Sequence, residues 1–510
     1  MLDATPLLRL YAANRQRQLA AMDPVESQEA QLRRLLQRGA ATSFGRAHGF
    51  ARLKSVADYQ SAVPLRRYED FWREYWQKPF PRVGGTTWPG HIPYFALSSG
   101  TSTGRSKYIP VSREMVVANR RAALDLLSHH VTNRLASRVL AGRNFMLGSS
   151  TALKLEAPGI RSGDLSGIAA IEVPFWARSR FFPPRQEGLI ADWERKVERL
   201  AALSLRSDIR SISGTPSWLL IFFNKLAELR PQAATRLRSY YPNLELLAHG
   251  AVNFAPYRRS FEERLAGSHA ELREVYPASE GFIAIADRGP GEGLRLILDN
   301  GLFYEFIPVE ELDQPSPVRH WIRSAETGVN YALVLTSCAG LWSYVLGDTV
   351  KLVDRSPPRL LISGRTSSFL SAFGEHLTSQ EIEEAIAGSA AAISFAVNDF
   401  AVAPTYPERE GELGGHLFLV EFAGGPPASS AVERFAEHLD KALLEANEDY
   451  ATHRAGGFGM YAPRIRLIAK GGFAAWMKSR GQLGGQHKVP RVITDPELLR
   501  QLLDFMDRWR

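Results

Sequence analysis

A single cysteine, Cys338, in a chain of 510 residues excludes an intrachain disulfide and any zinc site built from cysteines. Its neighbours Leu335, Thr336, Ser337 and Ala339 give it the setting of a small buried residue at a strand end, and its solitude fits a reducing cytoplasm. Long apolar runs are missing too. No stretch reaches the roughly 18 uninterrupted apolar residues of a membrane span, and the longest, around Ser217–Phe223 and Tyr331–Leu335, suit buried core elements. The opening Met1-Leu2-Asp3-Ala4-Thr5 lacks the basic-then-apolar pattern of a secretory signal. Charge of one sign is not concentrated: 62 Lys and Arg against 54 Asp and Glu leave +8. The arginine pairs at 33–34, 66–67, 120–121 and 258–259 are scattered among acids. Such scatter describes solvated faces rather than a nucleic-acid footprint, while the mild positive balance suits a small polyanion such as ATP. There is no internal repeat and no low-complexity tract.

What is present is an ordinary globular composition, 45% hydrophobic and 23% charged, at a length that implies two or three domains. Leu7, Leu8, Leu10, Tyr11 and then Leu32, Leu35, Leu36 recur at helical spacing, followed by a loop from Ala40 to Gly49. Short strands are expected at Tyr94–Leu97 and Lys107–Val111, with Ser112 capping an amphipathic helix to about Ser128. Further helices are expected at Trp218–Leu226 and Tyr257–Leu265. From Leu294 to Val353 the texture is antiparallel, with Asp299-Asn300-Gly301 as a hairpin turn between Leu294–Leu298 and Leu302–Ile307. Beyond Gly364–Ser368 the pattern changes again. Thr378-x-x-Glu381 opens a helix closed by Gly388, Ser430-x-x-Glu433 opens a longer one, and strands are expected at Ile393–Val397 and His416–Phe422. The fold class is therefore mixed α/β and α+β: a large N-terminal domain over 1–365 with a β-rich part, and a small α+β domain over 366–510.

Four segments carry chemistry. In Ser98-Ser99-Gly100-Thr101-Ser102-Thr103-Gly104, hydroxyls and glycines between short strands let backbone N–H groups approach a phosphate, and Lys107 adds charge. The same residues spell the Gly-x-Ser-x-Gly nucleophile elbow of α/β-hydrolases, with Ser102 as nucleophile. That elbow needs a helix directly after the serine, whereas Arg105–Val111 reads as loop and strand. Tyr276-Pro277-Ala278-Ser279-Glu280-Gly281 offers a carboxylate at a strand-to-turn junction, suited to Mg²⁺ beside a nucleotide; alone it reads better as a turn with a solvated Glu. Tyr344-Val345-Leu346-Gly347-Asp348 offers a carboxylate for ribose hydroxyls; alone it is an ordinary Gly-Asp turn. Lys488, in Gln486-His487-Lys488-Val489-Pro490-Arg491 after a Gly-rich stretch, could neutralise charge on a reacting phosphate.

The order of these segments is that of adenylate-forming enzymes, and the chain resembles the Gretchen Hagen family of auxin-responsive promoter proteins, the acyl acid amido synthetases. Ser98–Lys107 matches the family's Ser-Ser-Gly-Thr-Ser-x-Gly-x-x-Lys, Tyr276–Glu280 and Tyr344–Asp348 match its second and third motifs, and 486–491 resembles its Gln-Tyr-Lys-x-Pro-Arg signature. The likeness runs from about Phe44-Gly45 to Arg491. It implies a large N-terminal domain for ATP and the acyl acid and a small mobile C-terminal domain. By residue it implies Ser98, Ser99, Thr101 and Ser102 at phosphates, Tyr276 near adenine, Glu280 on Mg²⁺, Asp348 on ribose, Arg365 at the hinge-side ribose or phosphate, and Lys488 at the reacting phosphate. Val345 stands where the family usually has Arg, and Thr366 where plant members have Lys. Length and short loops suggest a bacterial-type member.

The implied chemistry is in-line attack of a carboxylate on the α-phosphate of ATP, followed by attack of an amine, expected to be an amino acid, on the acyl-adenylate. An acyl pocket is expected among Met115–Ser128, Phe145–Ser150 and Ile168–Phe175. The expected protein is a monomer acting on small molecules, without nucleic acid or membrane. A thioester-forming ligase, a hydrolase using Ser102 and an inactive nucleotide-binding protein are the alternatives.

Overall fold

The computed structural model describes residues 2–98, 107–148, 151–190, 192–232, 236–250, 254, 257–289, 291–366, 369–370, 377–406, 414–447, 450–451, 454, 460–482 and 488–509. By internal packing the chain divides into two units: Met1–Ala251 with Gly267–Ile362, and Val252–Ala266 with Ser363–Arg510. The expected domains were contiguous in sequence; this division is not, because the segment carrying the Arg258–Leu265 helix is grouped with the C-terminal residues.

In the first unit a large mixed sheet joins two textures. Arg143–Leu147, Ile209–Gly214, Leu246–Gly250 and Glu271–Ala278 run parallel. Leu246–Gly250 is buried along its whole length, as expected for a strand covered on both faces. From Gly281–Ile285 onward the neighbours are antiparallel. A second, four-stranded sheet carries the hairpin of Tyr94–Ser98 and Lys107–Val111, in which Ser98 pairs opposite Lys107. Ser112 caps the following helix by accepting from the Met115 amide at 3.0 Å, and the helix runs to Asn133.

Asp299-Asn300-Gly301 does not close a hairpin. Leu294–Leu296 pairs with Gly281–Ile285 and Pro358–Arg365, whereas Leu302–Pro308 pairs with Asn330–Ser337 and His320–Trp321. Tertiary bonds hold the turn open. Arg15 and Arg121 both donate to Asp299, Asn300 donates to the Ala118 carbonyl, and the Gln28 amide donates to the carbonyls of both Leu298 and Leu302. Within the expected 40–49 loop, Thr42 caps a short helix, Ser43–Ala47.

The second unit has a sheet of Val397–Thr405, Gly415–Phe422 and Arg464–Ile468, antiparallel then parallel. Helices Ser379–Ala392 and Ser429–Ala446 supply one apolar layer, and Phe473, Trp476, Leu502 and Met506 belong to another. Thr378 and Glu381 form the expected capping box, but the helix passes through Gly388, and Ile393 is its C-cap instead of a strand residue. The Ser429 helix begins after Ala428 with no side-chain cap, so Ser430 and Glu433 form no box.

Ionic ties pin the Arg113–Asn133 helix to the parallel strands. His130 Nδ1 is 2.7 Å from Glu271 and its Nε2 is 3.1 Å from the Ser137 hydroxyl, which donates to Glu245 at 2.5 Å. Burial alone would lower the His130 pKa, but the Glu245 and Glu271 bonds outweigh it and hold it above the ordinary value. Burial would raise the Glu245 pKa; the bonds from His130 and Ser137 bring it down to about 2. A raised histidine stabilises below its ordinary 6.5 and loses that contribution as pH climbs through the folded value. A depressed carboxylate stabilises above its ordinary 4.5 and loses that contribution as pH falls toward about 2. The melting-temperature gap between wild type and His130→Gln should therefore be widest between pH 4.5 and 6.5 and narrow on the alkaline side. A gap that widens with pH in thermal melts would contradict this arrangement.

Candidate active site

The second and third motifs have the same layout, a tyrosine first and a carboxylate last, and the structure pairs them reciprocally. Tyr276 donates to Asp348 Oδ2 at 2.5 Å, and Tyr344 donates to Glu280 Oε1 at 3.1 Å. Each motif sits at a break in a ladder. Ser279-Glu280 is the two-residue turn between Glu271–Ala278 and Gly281–Ile285, with a bulge at Ile283 just beyond it. In the third motif the register moves from Val334 opposite Val345 to Ala332 opposite Thr349, so Leu346-Gly347-Asp348 bulge out opposite Leu333 alone. Gly347 has φ +94, a conformation that L side chains rarely adopt, which accounts for the glycine before the aspartate. A bulge takes its residues off the ladder and re-aims their side chains.

Glu280 is not a solvated turn residue: it is 7% exposed. Burial raises its pKa above the ordinary carboxylate value and the charge of Asp348 adds to the shift, while Lys107 and the Tyr344 hydroxyl oppose it. Lys107 lies 5.6 Å from the centre of the Tyr68 ring, and the Tyr68 hydroxyl accepts from the Tyr108 amide at 2.9 Å. The charge at the end of the first motif is thus felt by the carboxylate of the second. Asp348 is half-buried inside the Tyr344–Arg355 strand, not at an exposed strand end. Tyr276 and Ser279 are buried. The backbone before Tyr344 is held as firmly: Ser343 adopts φ 45, and its hydroxyl accepts from Arg319 at 2.6 Å and lies 2.9 Å from Tyr59 and 3.0 Å from Glu305.

Of the other sequence candidates, Ser98 ends its strand opposite Lys107, at the foot of the Ser/Thr/Gly loop. Ser99, Gly100, Thr101, Ser102 and Gly104 lie outside the described residues. Among the described residues, the element after the first motif is the Lys107–Val111 strand, and a helix begins at Arg113. Arg365 is exposed at the end of Pro358–Arg365, and Lys488 is exposed in the second unit. Val345 packs with Ile307, Ala332 and Val334 in an apolar cluster where an arginine head would be costly. In the expected acyl-pocket segments, Met115, Ala118 and Ala122 belong to the core, and Ser149 and Ser150 lie outside the described residues. Sequence reasoning named Tyr344 only as part of a motif; the shared Tyr-x-x-x-carboxylate layout was the signal for its role. Tyr68 had no such signal.

Comparison with known proteins matches residues 14–186 to the GH3 family N-terminal domain, 295–365 to the GH3 family central domain and 380–497 to the GH3 family C-terminal domain. Indole-3-acetic acid-amido synthetase GH3.3 of Arabidopsis thaliana is 25% identical over 45% of this chain, which spans only 40% of that relative. Jasmonoyl–L-amino acid synthetase GH3.5 of Oryza sativa subsp. japonica is 22% identical over 93% of both chains. The solved structure of AtGH3.15 acyl acid amido synthetase in complex with 2,4-DB has the same fold, with TM-score 0.80 at 18% identity over 97% of this chain and 95% of the other.

A buried carboxylate with a raised pKa costs stability whenever it is ionised. Glu280→Gln keeps an oxygen for Tyr344 and removes the charge, so it should raise the melting temperature at pH 7 by about 2 °C or more. The gain should disappear below pH 4.5, where the wild-type carboxyl is neutral too. Equal or lower melting temperatures for the variant across this range would mean that the carboxylate is not under strain.

Proposed function

Since the chain belongs to the GH3 family, we propose that it is an ATP-dependent ligase that joins a carboxylic acid to an amine, an amino acid, through an acyl-adenylate. The observation that carries the reading is the reciprocal pairing, which ties Tyr276 to Asp348 and Tyr344 to Glu280, with the charge of Lys107 acting on Glu280. In this reading the hydroxyls of Ser98, Ser99, Thr101 and Ser102, with the open backbone at Gly100 and Gly104, take the phosphates. Tyr276 lies by the adenine. Asp348 accepts from ribose hydroxyls; a carboxylate accepts up to about four bonds, so the Tyr276 bond is compatible with that role. Ser279 completes the turn beside Glu280, and Arg365 meets the ribose or a phosphate.

The residues fit Mg²⁺. Glu280 and Asp348 offer only oxygen, and the described residues contain no cluster of three or more His, Cys, Asp or Glu that could cage a metal alone. Magnesium typically takes one or two carboxylates and completes its shell with water and substrate phosphates. Glu280 would hold it, and bound Mg²⁺ would neutralise phosphate charge. Lys488 then stabilises charge developing at the α-phosphate as the acid's carboxylate attacks and pyrophosphate leaves. The amine next attacks the acyl carbonyl and AMP departs. Val345 argues against an inactive protein, since its side chain packs away in an apolar cluster and both tyrosine–carboxylate pairs form without an arginine there. Among the described residues no helix is long and apolar enough to cross a membrane. Cys338 is buried, with its thiol pKa pushed up to about 12, so it stays unreactive in the cytoplasmic monomer we infer.

Labelled pyrophosphate should exchange into ATP only when Mg²⁺ and an accepted acid are present, and product analysis with amino acids and with a thiol acceptor should show the amide. ATP binding without exchange for any acid in a broad aromatic and aliphatic panel would point to a binding protein, and thioester as sole product to the other ligase class. Asp348→Ala should weaken ATP binding by about 1.5–3 kcal/mol. Lys488→Ala should slow exchange by about 10²–10³ with ATP affinity little changed. Collapse of ATP binding in Lys488→Ala would instead make the lysine part of a fixed binding site.

A further inference from the structure

The late signature ends in an arginine three residues after Lys488, where a second phosphate ligand would be the natural reading. We propose instead that Arg491 is a positioning residue, which fixes the Lys488 segment by locking it to the second unit's sheet and to the segment that carries Tyr257. The inference rests on the reading of Lys488 given above.

The guanidinium is committed on every side. Nη1 pairs with the Asp399 carboxylate and donates to the Phe400 carbonyl at 2.9 Å, and Nη2 donates to the Tyr257 hydroxyl at 3.0 Å. Nε is 3.7 Å from Glu383, and the group lies 4.3 Å from the centre of the Phe400 ring. Two carboxylates beside the guanidinium already take up its charge and leave it little to offer a phosphate. The backbone continues the lock: Val402 donates to the Arg491 carbonyl and Ile493 donates to the Val402 carbonyl, each at 2.8 Å, which stitches the segment along the Val397–Thr405 strand. Val489 and Ile493 are buried in the same apolar cluster as Trp476 and Leu502, whereas Lys488 is exposed. An exposed lysine thus stands on an anchored base. Tyr257, 2% exposed, extends the anchor to the 252–266 segment, so that segment belongs to the same body as Lys488.

The test measures pyrophosphate exchange, KM for ATP and melting temperature on the full chain for Lys488→Ala, Arg491→Ala, Arg491→Lys, Tyr257→Phe and the Lys488→Ala/Arg491→Ala double variant. A displaced anchor moves the lysine, and misplacement of about 1 Å can cost up to about a hundredfold. Arg491→Ala should therefore slow exchange by about tenfold to a hundredfold, with KM for ATP held within about twofold. Arg491→Lys should recover part of the loss, and Tyr257→Phe should lose about two- to threefold. In the Lys488→Ala background, Arg491→Ala should cost nothing more, because it acts only through the lysine. If Arg491→Ala fails to fold, Tyr257→Phe carries the same cycle. An undiminished loss in that background, or a rise in KM for ATP of about tenfold, would overturn the proposal. A normal Arg491→Ala beside a crippled Lys488→Ala would also overturn it, leaving the Lys488 reading intact. A normal Lys488→Ala would sink the reading of the lysine itself.

Discussion

Two carboxylates, Glu280 and Asp348, face the same small region, and each is held by the other motif's tyrosine. Much of the first unit's design answers the problem this sets. Burial raises the cost of ionising Glu280, and the charge of Asp348 adds to it. An arginine partner would have removed the cost by cancelling the charge. A phenol satisfies the oxygen without cancelling the charge, so both carboxylates keep spare acceptor capacity. The supports lie deeper. The Ser343 turn is fixed by Arg319, Glu305 and Tyr59, and nearby Trp342 is bonded to the Thr87 carbonyl at 2.9 Å inside an aromatic cluster. Strain in the backbone at Ser343 is tolerated because the surrounding packing over-determines it, while at Gly347 the glycine avoids it.

The sequence was most readable where chemistry and local structure use the same residues. Ser112 and Thr378 announce helices because their side chains bond the first amides directly. The strands flanking the first motif could be placed because apolar residues bracket a run of small ones, and motif order singled out the two segments whose tyrosines and carboxylates pair. Reading failed where a distant residue decides. Asn300-Gly301 is a strong hairpin signal, yet Gln28, Arg15 and Arg121 reach in from other helices to bond the turn, and its two arms pair with different strands. Gly388 reads as a stop, yet the helix continues to Ala392, with Ala390 and Ile393 buried in the same layer. Burial of Glu280 was equally invisible, since nothing near it in sequence shows that Tyr344 covers it. The excursion of 252–266 into the second unit has no local signature either, because its anchor is a tyrosine met by an arginine 234 positions later.

That excursion has a consequence for how the protein is made. The helix behind Tyr257 leaves the ribosome long before Asp399 and Arg491, its partners in the second unit. At about 5–20 residues per second, more than two hundred residues take roughly 10–45 seconds to emerge. Through that interval the first unit can pack its parallel strands, but Tyr257, Phe254 and Phe261, all buried in the finished protein, have no completed core to enter. Until then these aromatic side chains lack the second-unit partners that bury them. The second unit thus takes in a piece made before the first unit's own last strands, so neither unit is complete in simple order of synthesis.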